Sequence, residues 1–418
     1  MHFRDLSLSK WQQFQEISID LTQRLTILTG ANGSGKTTLL NLLARHSGWN
    51  FTSLATPRED HLSRMVKYFS RLFNGEDRSS EKRIGTLSYS NGSVSEIHVP
   101  ETTTAAYAIN VVSQQNVPCI FIPSHRATFR YQAVPNIPTG KKTTELAYNE
   151  VANSAREQYQ VGGRGGPSAS FIMKTNLISW VINGYGVRKD DKVVMPADSE
   201  QMRNFEGFED ALRKILPPTL GFKELTVRNM EIVFVCNEGR DEFLLETASG
   251  GVSTLIELAW QIYMFSTNHV DEFTVIVDEM ENHLHPSLQR RVLGDLLTAF
   301  PAARFIVSTH SPLIVSSVRD ASLFVLRYSE ENKIRSEALN LRDRAKTAAE
   351  ILDEVLGVSS SMPLWVEEEL AKVVARLTAT SLTESSFVEL RNELQTIGLE
   401  KLLPHALTSM LGQHDQAP

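Results

Sequence analysis

The apolar and polar positions of the chain follow the periods of strands and helices in turn. The apolar run Leu25-Thr26-Ile27-Leu28-Thr29 predicts a buried strand, and leucines at 39, 40, 42 and 43 predict an inward-facing helix over Lys36–Arg45. Alternation through Gly85–Ser90 and Ser93–Val99, with Asn91-Gly92 between them, predicts a hairpin with a type I′ turn. We therefore expect α/β structure over residues 1–125.

The pattern changes between Arg126 and Pro218, where Ala169–Tyr185 and Ser199–Leu216 have helical spacing. Strand-like segments return at Lys223–Cys236, and a helix is predicted over Thr254–Phe265. These changes predict an N-terminal half at 1–125, a mainly helical insertion at 126–220, a C-terminal half at 221–340 and an acidic helical region at 341–418.

Composition fits this organisation. The 418 residues, 41% of them hydrophobic and 22% charged, can hold two domains or one domain with a large insertion. No apolar run approaches the roughly 18 residues of a membrane span, so we expect a cytoplasmic protein with no membrane partner. The only cysteines, Cys119 and Cys236, have strand-like apolar neighbours and are predicted to be buried free thiols.

The net charge of −7 is unevenly distributed. Residues 121–192 carry an excess of Lys and Arg, whereas 348–400 is acidic. The basic segment is a candidate nucleic-acid surface, although solvated helix faces explain such asymmetry equally well.

A glycine-rich motif follows the first buried strand. Gly30-Ala31-Asn32-Gly33-Ser34-Gly35-Lys36-Thr37 fits the pattern G-x-x-x-x-G-K-[ST] and leads into Thr38 and the predicted helix. Glycines let backbone N–H groups converge on phosphate, and a helix N-terminus favours the same anion. The motif predicts an ATP site in which Lys36 reaches the β- and γ-phosphates and Thr37 ligates Mg²⁺.

Two later strands end in candidate catalytic groups. Val275-Ile276-Val277 is followed by Asp278 and Glu279. We expect Asp278 to hold Mg²⁺ through water and Glu279 to act as the general base. Phe305–Val307 leads to His310, a candidate contact to the γ-phosphate. A solvated loop and a structural histidine are the plainer alternatives, which the nearby phosphate-binding motif disfavours.

Ser249-Gly250-Gly251 comes directly before a predicted helix. Its serine hydroxyl and backbone amides can form a second anion-binding site at the helix N-terminus. The tripeptide is common in flexible loops and is weak evidence by itself. Its position shortly before the strand that ends at Asp278 and Glu279 is what favours a functional role.

These motifs in this order resemble the ATP-binding-cassette superfamily, and the run Asp278–Pro286 resembles its soluble branch. That branch includes SMC and RecF-like repair ATPases, overcoming-lysogenization-defect proteins, and ATPase subunits of the Septu and retron anti-phage systems. The resemblance covers about residues 1–125 and 220–320. It implies a P-loop ATPase head, a mixed sheet with flanking helices, and a homodimer in which each ATP lies between one subunit's P-loop and the partner's Ser249-Gly250-Gly251, hereafter the signature loop.

The sequence departs from this pattern in places. The usual glutamine after the second core strand is replaced by His125 or Arg126. Asn282 to His285 occupy the position of an interface loop, and this assignment is preferred over a metal cluster of Glu281, His283 and His285. Because no nuclease carboxylate pattern follows His310, we expect any nuclease to be a partner subunit.

We therefore expect an ATP-hydrolysing dimeric switch, or a higher oligomer, that controls a nucleic-acid-directed effector in anti-phage defence. A repair ATPase that binds DNA directly through 121–192 is the alternative. A transporter subunit is disfavoured by the large insertion and by the Asn282–Pro286 run.

Overall fold

The computed structural model describes residues 1–59, 66–69, 81–100, 104–161, 166–269, 271–339, 350–351, 364–378, 384–396, 398–404 and 406–407. The chain divides into two compact units, residues 1–357 and 358–418. The domain boundaries expected near 125, 220 and 340 stay predictions.

The first unit contains twenty described strands. They are β1 (Phe3–Trp11), β2 (Phe14–Asp20), β3 (Leu25–Gly30), β4 (Ser53–Leu54), β5 (Thr56–Glu59), β6 (Val66–Phe69), β7 (Glu81–Tyr89), β8 (Val94–Pro100), β9 (Ala106–Tyr107), β10 (Asn110–Val112), β11 (Cys119–Ile122), β12 (Val187–Lys189), β13 (Lys192–Met195), β14 (Phe222–Arg228), β15 (Glu231–Cys236), β16 (Asp241–Leu244), β17 (Phe273–Val277), β18 (Ala303–Ser308), β19 (Ser322–Tyr328) and β20 (Ile334–Leu339).

The described helices alternate with these strands and continue into the second unit. They are α1 (Lys36–Ala44), α2 (Thr144–Val161), α3 (Ala169–Tyr185), α4 (Ser199–Ile215), α5 (Gly250–Ser266), α6 (Pro286–Gln289), α7 (Val292–Ala299), α8 (Pro312–Val315), α9 (Leu364–Thr378) and α10 (Glu384–Thr396). Short 3-10 turns lie at Arg45–Ser47, Pro218–Leu220, Asn237–Gly239, Leu245–Thr247 and Glu400–Leu402.

One eleven-stranded sheet organises the first unit. Its strand order is β10-β8-β7-β1-β2-β20-β19-β3-β18-β17-β11. The five strands from β19 to β11 are mutually parallel, and β1, β2, β7, β8 and β10 form an antiparallel wing joined through β20. Strands β3, β11 and β17 are buried at every position, as expected for parallel strands covered on both faces. The predicted mixed sheet with flanking helices is confirmed.

Alternate residues of the parallel strands enter two separate cores. Ile27 and Val275 join the core built with α2, α3, α4, α5 and α7, whereas Leu28 and Ile276 join the core built with α1 and the antiparallel wing. This division follows from the two-residue period of a strand. The central sheet is therefore covered on both faces, and the helices of 126–220 cover one of them.

The helices predicted within 126–220 are confirmed as α3 and α4, the second ending one residue earlier than predicted. Trp180 of α3 stacks on Trp260 of α5, with ring centroids 5.6 Å apart, and Phe208 of α4 meets Trp260 edge-on at 5.0 Å. Such aromatic contacts add to the gain from burying the rings. The insertion therefore shares its core with α5.

The predicted hairpin is confirmed as β7 and β8, but the type I′ turn is wrong. Gly92 N–H donates to Tyr89 O at 2.9 Å, so Ser90 and Asn91 are the central residues of the turn. A type I′ turn needs positive φ at both, and here only Gly92, with φ of 83°, has it. Tyr89 N–H donates to Ser93 O at 3.0 Å, so the loop has three residues, Ser90 to Gly92, and Gly92 supplies the left-handed conformation.

The second unit has its own small core. Residues of α9 and α10 pack together through apolar side chains that include Val373 and Leu390. These two helices are the part of the predicted acidic region 341–418 that is described as regular α-helix. Of the helices that the structure describes, none is long and apolar enough to cross a membrane.

Trp260 anchors the shared core, so its removal tests whether the insertion and α5 fold as one body. Trp260 is 0% exposed, and Trp260→Ala is expected to lower the free energy of unfolding by about 3–5 kcal/mol. Trp365→Ala is the matched control, because Trp365 is 60% exposed and its loss should change stability by less than about 0.5 kcal/mol. Denaturant titration measures both, and equal effects would contradict the assignment.

Candidate functional site

The P-loop connects β3 to α1 and has a backbone that only glycine tolerates at two points. Gly30 and Gly35 have φ of 140° and 86°. A Cβ at Gly30 would lie 2.5 Å from Leu326 O, and one at Gly35 would collide with the Phe14 ring. The loop therefore passes close to β19 and to β2 while its N–H groups stay at the start of α1.

Lys36, the first residue of α1, is 5% exposed. Its Nζ donates to Gly30 O at 2.9 Å and to Ala31 O at 3.0 Å, so the ammonium group closes the loop on itself. Burial lowers the Lys36 pKa to about 8, although Asp278, Glu281 and Glu279 oppose this shift. Burial therefore outweighs the three acids in setting the Lys36 pKa.

Asp278 directly follows β17 and meets one group from helix α1 and one from strand β18. Thr37 Oγ1 lies 2.9 Å from Asp278 Oδ2, and Ser308 Oγ donates to Asp278 Oδ1 at 2.5 Å. The contact is possible because β18 lies between β3 and β17. Asp278 is 2% exposed, and burial raises its pKa although both hydroxyls oppose the shift. Ser308, which the sequence analysis did not single out, thus holds the carboxylate.

Glu279 is oriented by a neighbour that was predicted for another role. Asn282 Nδ2 donates to Glu279 Oε2 at 2.6 Å and to Ser124 O at 3.0 Å. Glu279 N–H donates to Ser308 Oγ at 2.8 Å, and its φ of 47° lies in the left-handed region. Several contacts therefore hold a conformation that costs about 1–3 kcal/mol.

His310 follows β18 and lies at the same edge of the sheet. Its backbone N–H donates to Glu281 Oε1 at 2.5 Å. Burial lowers the His310 pKa, and the nearby Lys36 ammonium lowers it further. Glu281 thus caps the strand end, and within the described ranges no three His, Cys, Asp or Glu side chains are placed to share a metal ion.

The two candidates for the missing glutamine differ in position. Arg126 Nη2 lies 3.3 Å from Asp278 O and 3.5 Å from Glu279 O, whereas the exposed His125 contacts Ser124 Oγ. Glu257 of α5 accepts from Ala127 N–H at 3.3 Å; burial raises its pKa to about 7, although Arg126 opposes this. The geometry therefore favours Arg126 over His125 as the replacement for the missing glutamine, because Arg126 contacts the backbone of the two acidic residues.

The signature loop begins α5, four residues earlier than predicted. Ser249 is the exposed N-cap residue, yet its hydroxyl makes no capping hydrogen bond. Gly251 packs closely, since a Cβ there would lie 3.1 Å from Leu288 Cδ1 and 3.3 Å from His283 O.

The structure brings together five of the predicted side chains but not the serine. Among the hydrogen bonds of the described residues, none joins Ser249 to the P-loop or to the carboxylates of Asp278 and Glu279. The assembled group consists of Lys36, Thr37, Asp278, Glu279 and His310.

Two family models match parts of the chain. Residues 173–316 match a family described as "AAA domain, putative AbiEii toxin, Type IV TA system", and residues 5–114 match a family described as "AAA domain". The second match includes the P-loop, and the first includes Asp278, Glu279 and His310.

The relatives include Septu proteins and probable ATPases of retrons. The chain is 37% identical over 93 residues to the Septu protein PtuA of Bacillus mycoides, covering 21% of this chain and 13% of the relative. It is 24% identical to the Escherichia coli Retron Ec83 probable ATPase, covering 40% and 28%, and 25% identical to the Bacillus thuringiensis Septu protein PtuA, covering 40% and 45%. The aligned part thus spans less than half the length of each relative.

Solved structures include the SMC head bound to the C-winged helix domain of ScpA and the SMC head domain from Thermotoga maritima. Their TM-scores are 0.46 and 0.42, at 15% and 14% identity, covering 83% and 81% of this chain and 100% of each solved chain. The family models and the relatives confirm the resemblance predicted from the sequence: this chain is similar to the Septu proteins and to the probable ATPases of retron anti-phage systems.

Proposed function

We propose that this chain binds ATP and Mg²⁺, hydrolyses ATP in a homodimer, and acts as a switch for a nucleic-acid-directed effector in anti-phage defence. The observation that carries the proposal is the contact between Thr37 of the P-loop helix and Asp278 of the carboxylate strand, 2.9 Å apart. This contact joins phosphate-binding and metal-binding chemistry at one edge of the sheet.

The residues fit the two cofactors. Mg²⁺ prefers oxygen ligands, and the Thr37 hydroxyl and the Asp278 carboxylate supply them. The Lys36 ammonium, now held by two carbonyl groups of the loop, is available to pair with the β- and γ-phosphates. The backbone N–H groups of Gly33, Ser34 and Gly35 precede α1 and are suited to phosphate oxygens.

When bound, Mg²⁺-ATP supplies the phosphoryl group and an ion that neutralises its charge. Glu279 accepts the proton of the attacking water, and Asn282 fixes its carboxylate through the 2.6 Å hydrogen bond. His310 stays neutral because burial and Lys36 lower its pKa, so its ring can donate one hydrogen bond at this edge without adding positive charge. Arg126 steadies the backbone carbonyls of the two acids.

The proposed dimer follows from the position of the signature loop. Ser249 is exposed, its hydroxyl caps nothing in its own chain, and Gly250 has open space around it. A serine with two free N–H groups at the start of a seventeen-residue helix is suited to an anion from outside the chain. We assign that anion to the γ-phosphate held by the partner's P-loop.

The effector is proposed to be a separate subunit. The similarity to Septu and retron ATPases supports a role in a multi-component defence system. ATP-driven closing and hydrolysis-driven opening of the dimer would regulate a nuclease partner, which is the role that the sequence analysis assigns to this kind of chain.

Direct DNA binding through 121–192 is less well supported. Three of the basic side chains in that segment already form ion pairs with carboxylates, namely Lys141, Lys142 and Lys174, while Arg126 and Arg156 donate to backbone carbonyl oxygens. A charge that is already paired releases fewer counterions from DNA. The switch is therefore preferred over the repair ATPase.

Lys36→Ala and Glu279→Gln test catalysis. Lys36→Ala should abolish ATP binding, whereas Glu279→Gln should bind ATP and lower hydrolysis by about 10²–10⁴-fold, because a general base contributes that much. Phosphate release and size-exclusion chromatography measure turnover and a trapped dimer. Glu330→Gln removes an exposed carboxylate outside the site and should keep the wild-type rate. Unchanged turnover in both site variants would refute the ATPase assignment.

Ser249→Ala tests whether the serine acts in the partner's site. The variant should bind ATP as a monomer with wild-type affinity but lose hydrolysis. Mixing it with Lys36→Ala should restore one working site in each mixed dimer, since one subunit supplies the P-loop and the other the serine. Ser266→Ala, at the other end of the same helix, is the control and should remain active. Failure to restore activity would contradict the shared site.

The lowered Lys36 pKa predicts how ATP affinity depends on pH. The ammonium is charged below about pH 8 and loses its proton above it, so affinity should fall by up to about tenfold per pH unit above 8. Calorimetric or fluorescence titration between pH 7 and 9.5 measures the dependence. Lys36→Met should bind weakly throughout and show no such fall; an equal fall in that variant would assign the effect to another group.

A further inference from the structure

A charged lysine lies fully inside the insertion. Lys174, in the middle of α3, is 0% exposed, and its Nζ lies 2.7 Å from Glu231 Oε2 and 2.5 Å from Glu246 Oε1. The ring of Tyr131 covers the ammonium group at 4.8 Å, and its hydroxyl donates to Glu231 at 3.0 Å. Burial lowers the Lys174 pKa, but the two carboxylates outweigh this and hold it above its usual value.

Glu246 depends on this lysine. Its side chain is 1% exposed, and neither of its carboxylate oxygens has a hydrogen-bond partner of good geometry. An unpaired carboxylate in such a place costs several kcal/mol, so the ion pair with Lys174 is what permits Glu246 to stay there. The pair is therefore a fixed point for the backbone that carries Glu246.

That backbone leads directly into the signature loop. Glu246 is the middle residue of the 3-10 turn Leu245–Thr247, and Ser249 follows three residues later. Leu245 is fully buried, and Leu244 N–H donates to Thr247 Oγ1 at 3.1 Å, which closes the turn. Three residues span at most about 10 Å, so a displacement of Glu246 is transmitted to the serine.

We propose that Lys174 is a positioning residue for Ser249, which it controls by holding Glu246 in the turn before α5. This inference rests on the proposed function, because it requires that Ser249 act in the partner's site. The insertion then influences hydrolysis directly. A partner that moves α3 displaces the Ser249 that this chain contributes to the ATP site of the other subunit.

The test uses the full-length chain and two substitutions. Lys174→Met should keep the monomer's ATP affinity and lower kcat by up to about 10²-fold, because a displacement near 1 Å has that effect. Mixing it with Lys36→Ala should restore activity, since the Lys174→Met subunit retains an intact P-loop and receives the serine of its partner. If Lys174 acted on its own P-loop, mixing would restore nothing, and that result would overturn the proposal.

Loss of the cation can also unfold the region, so a second variant keeps the test decisive. Lys174→Met with Glu246→Gln removes both charges, and replacing a buried ion pair with neutral groups is often neutral for stability. We expect a near wild-type melting temperature, low kcat and restoration by Lys36→Ala. A wild-type kcat in this folded double variant would overturn the proposal.

Two control variants separate positioning of Ser249 from general loss of stability. A comparison of the two mixing experiments separates this inference from the proposed function. Glu231→Gln leaves the Lys174–Glu246 pair in place, and Lys142→Met removes a different ion pair of the insertion, with Glu150. Both should keep kcat within about twofold, since neither contact fixes the turn; a loss as large as that of Lys174→Met would contradict the assignment. If Ser249→Ala and Lys36→Ala restore each other but Lys174→Met and Lys36→Ala do not, this inference alone fails.

Discussion

The buried carboxylate of Asp278 is the constraint on which the rest of the site depends. An ionised carboxylate placed at a sheet edge with 2% exposure is tolerated only if neighbouring groups satisfy it. Thr37 comes from the helix after β3 and Ser308 from the end of β18, so the strand order β3-β18-β17 is what allows both hydroxyls to reach it. The same edge then also contains Glu279 and His310. The grouping of these side chains thus follows from the need to satisfy one buried charge.

The helices of the insertion form part of the main core of the first unit. Its helices α3 and α4 bury their apolar side chains in the core that also contains α5 and one face of the parallel strands. Trp260 contacts both Trp180 and Phe208 there, and such cores respond to change as a unit because they are close-packed. Helix α5 is therefore packed against the helices of the insertion. The Lys174–Glu246 ion pair fixes the turn that leads into its N-cap residue, Ser249.

Local patterns predicted the parts of the site that local chemistry determines. The P-loop, the apolar strands before Asp278 and His310, and the helices α3 and α4 each have a signal within a few residues. Ser308 has no local signal, and Asn282 and Glu281 were assigned other roles, because all three act through contacts with residues that only the fold brings close. The type I′ turn failed for a related reason, since the pairing register, which places Gly92 after the turn, depends on the whole of β7 and β8.

The signature serine shows how an unused interaction can indicate function. Serine at an N-cap normally accepts a hydrogen bond from the first turn, which stabilises a helix by about 0.5–2 kcal/mol. Ser249 has the extended backbone of an N-cap but leaves its hydroxyl unpaired, while Ser168 and Asp198 make this bond at the starts of α3 and α4. The same chain therefore caps α3 and α4 of the insertion through a side chain and leaves α5 without such a cap. In the proposed dimer that hydroxyl and the free N–H groups beside it turn to the γ-phosphate of the opposite subunit, and the stabilisation missing from the monomer is recovered only when two copies close around the nucleotide.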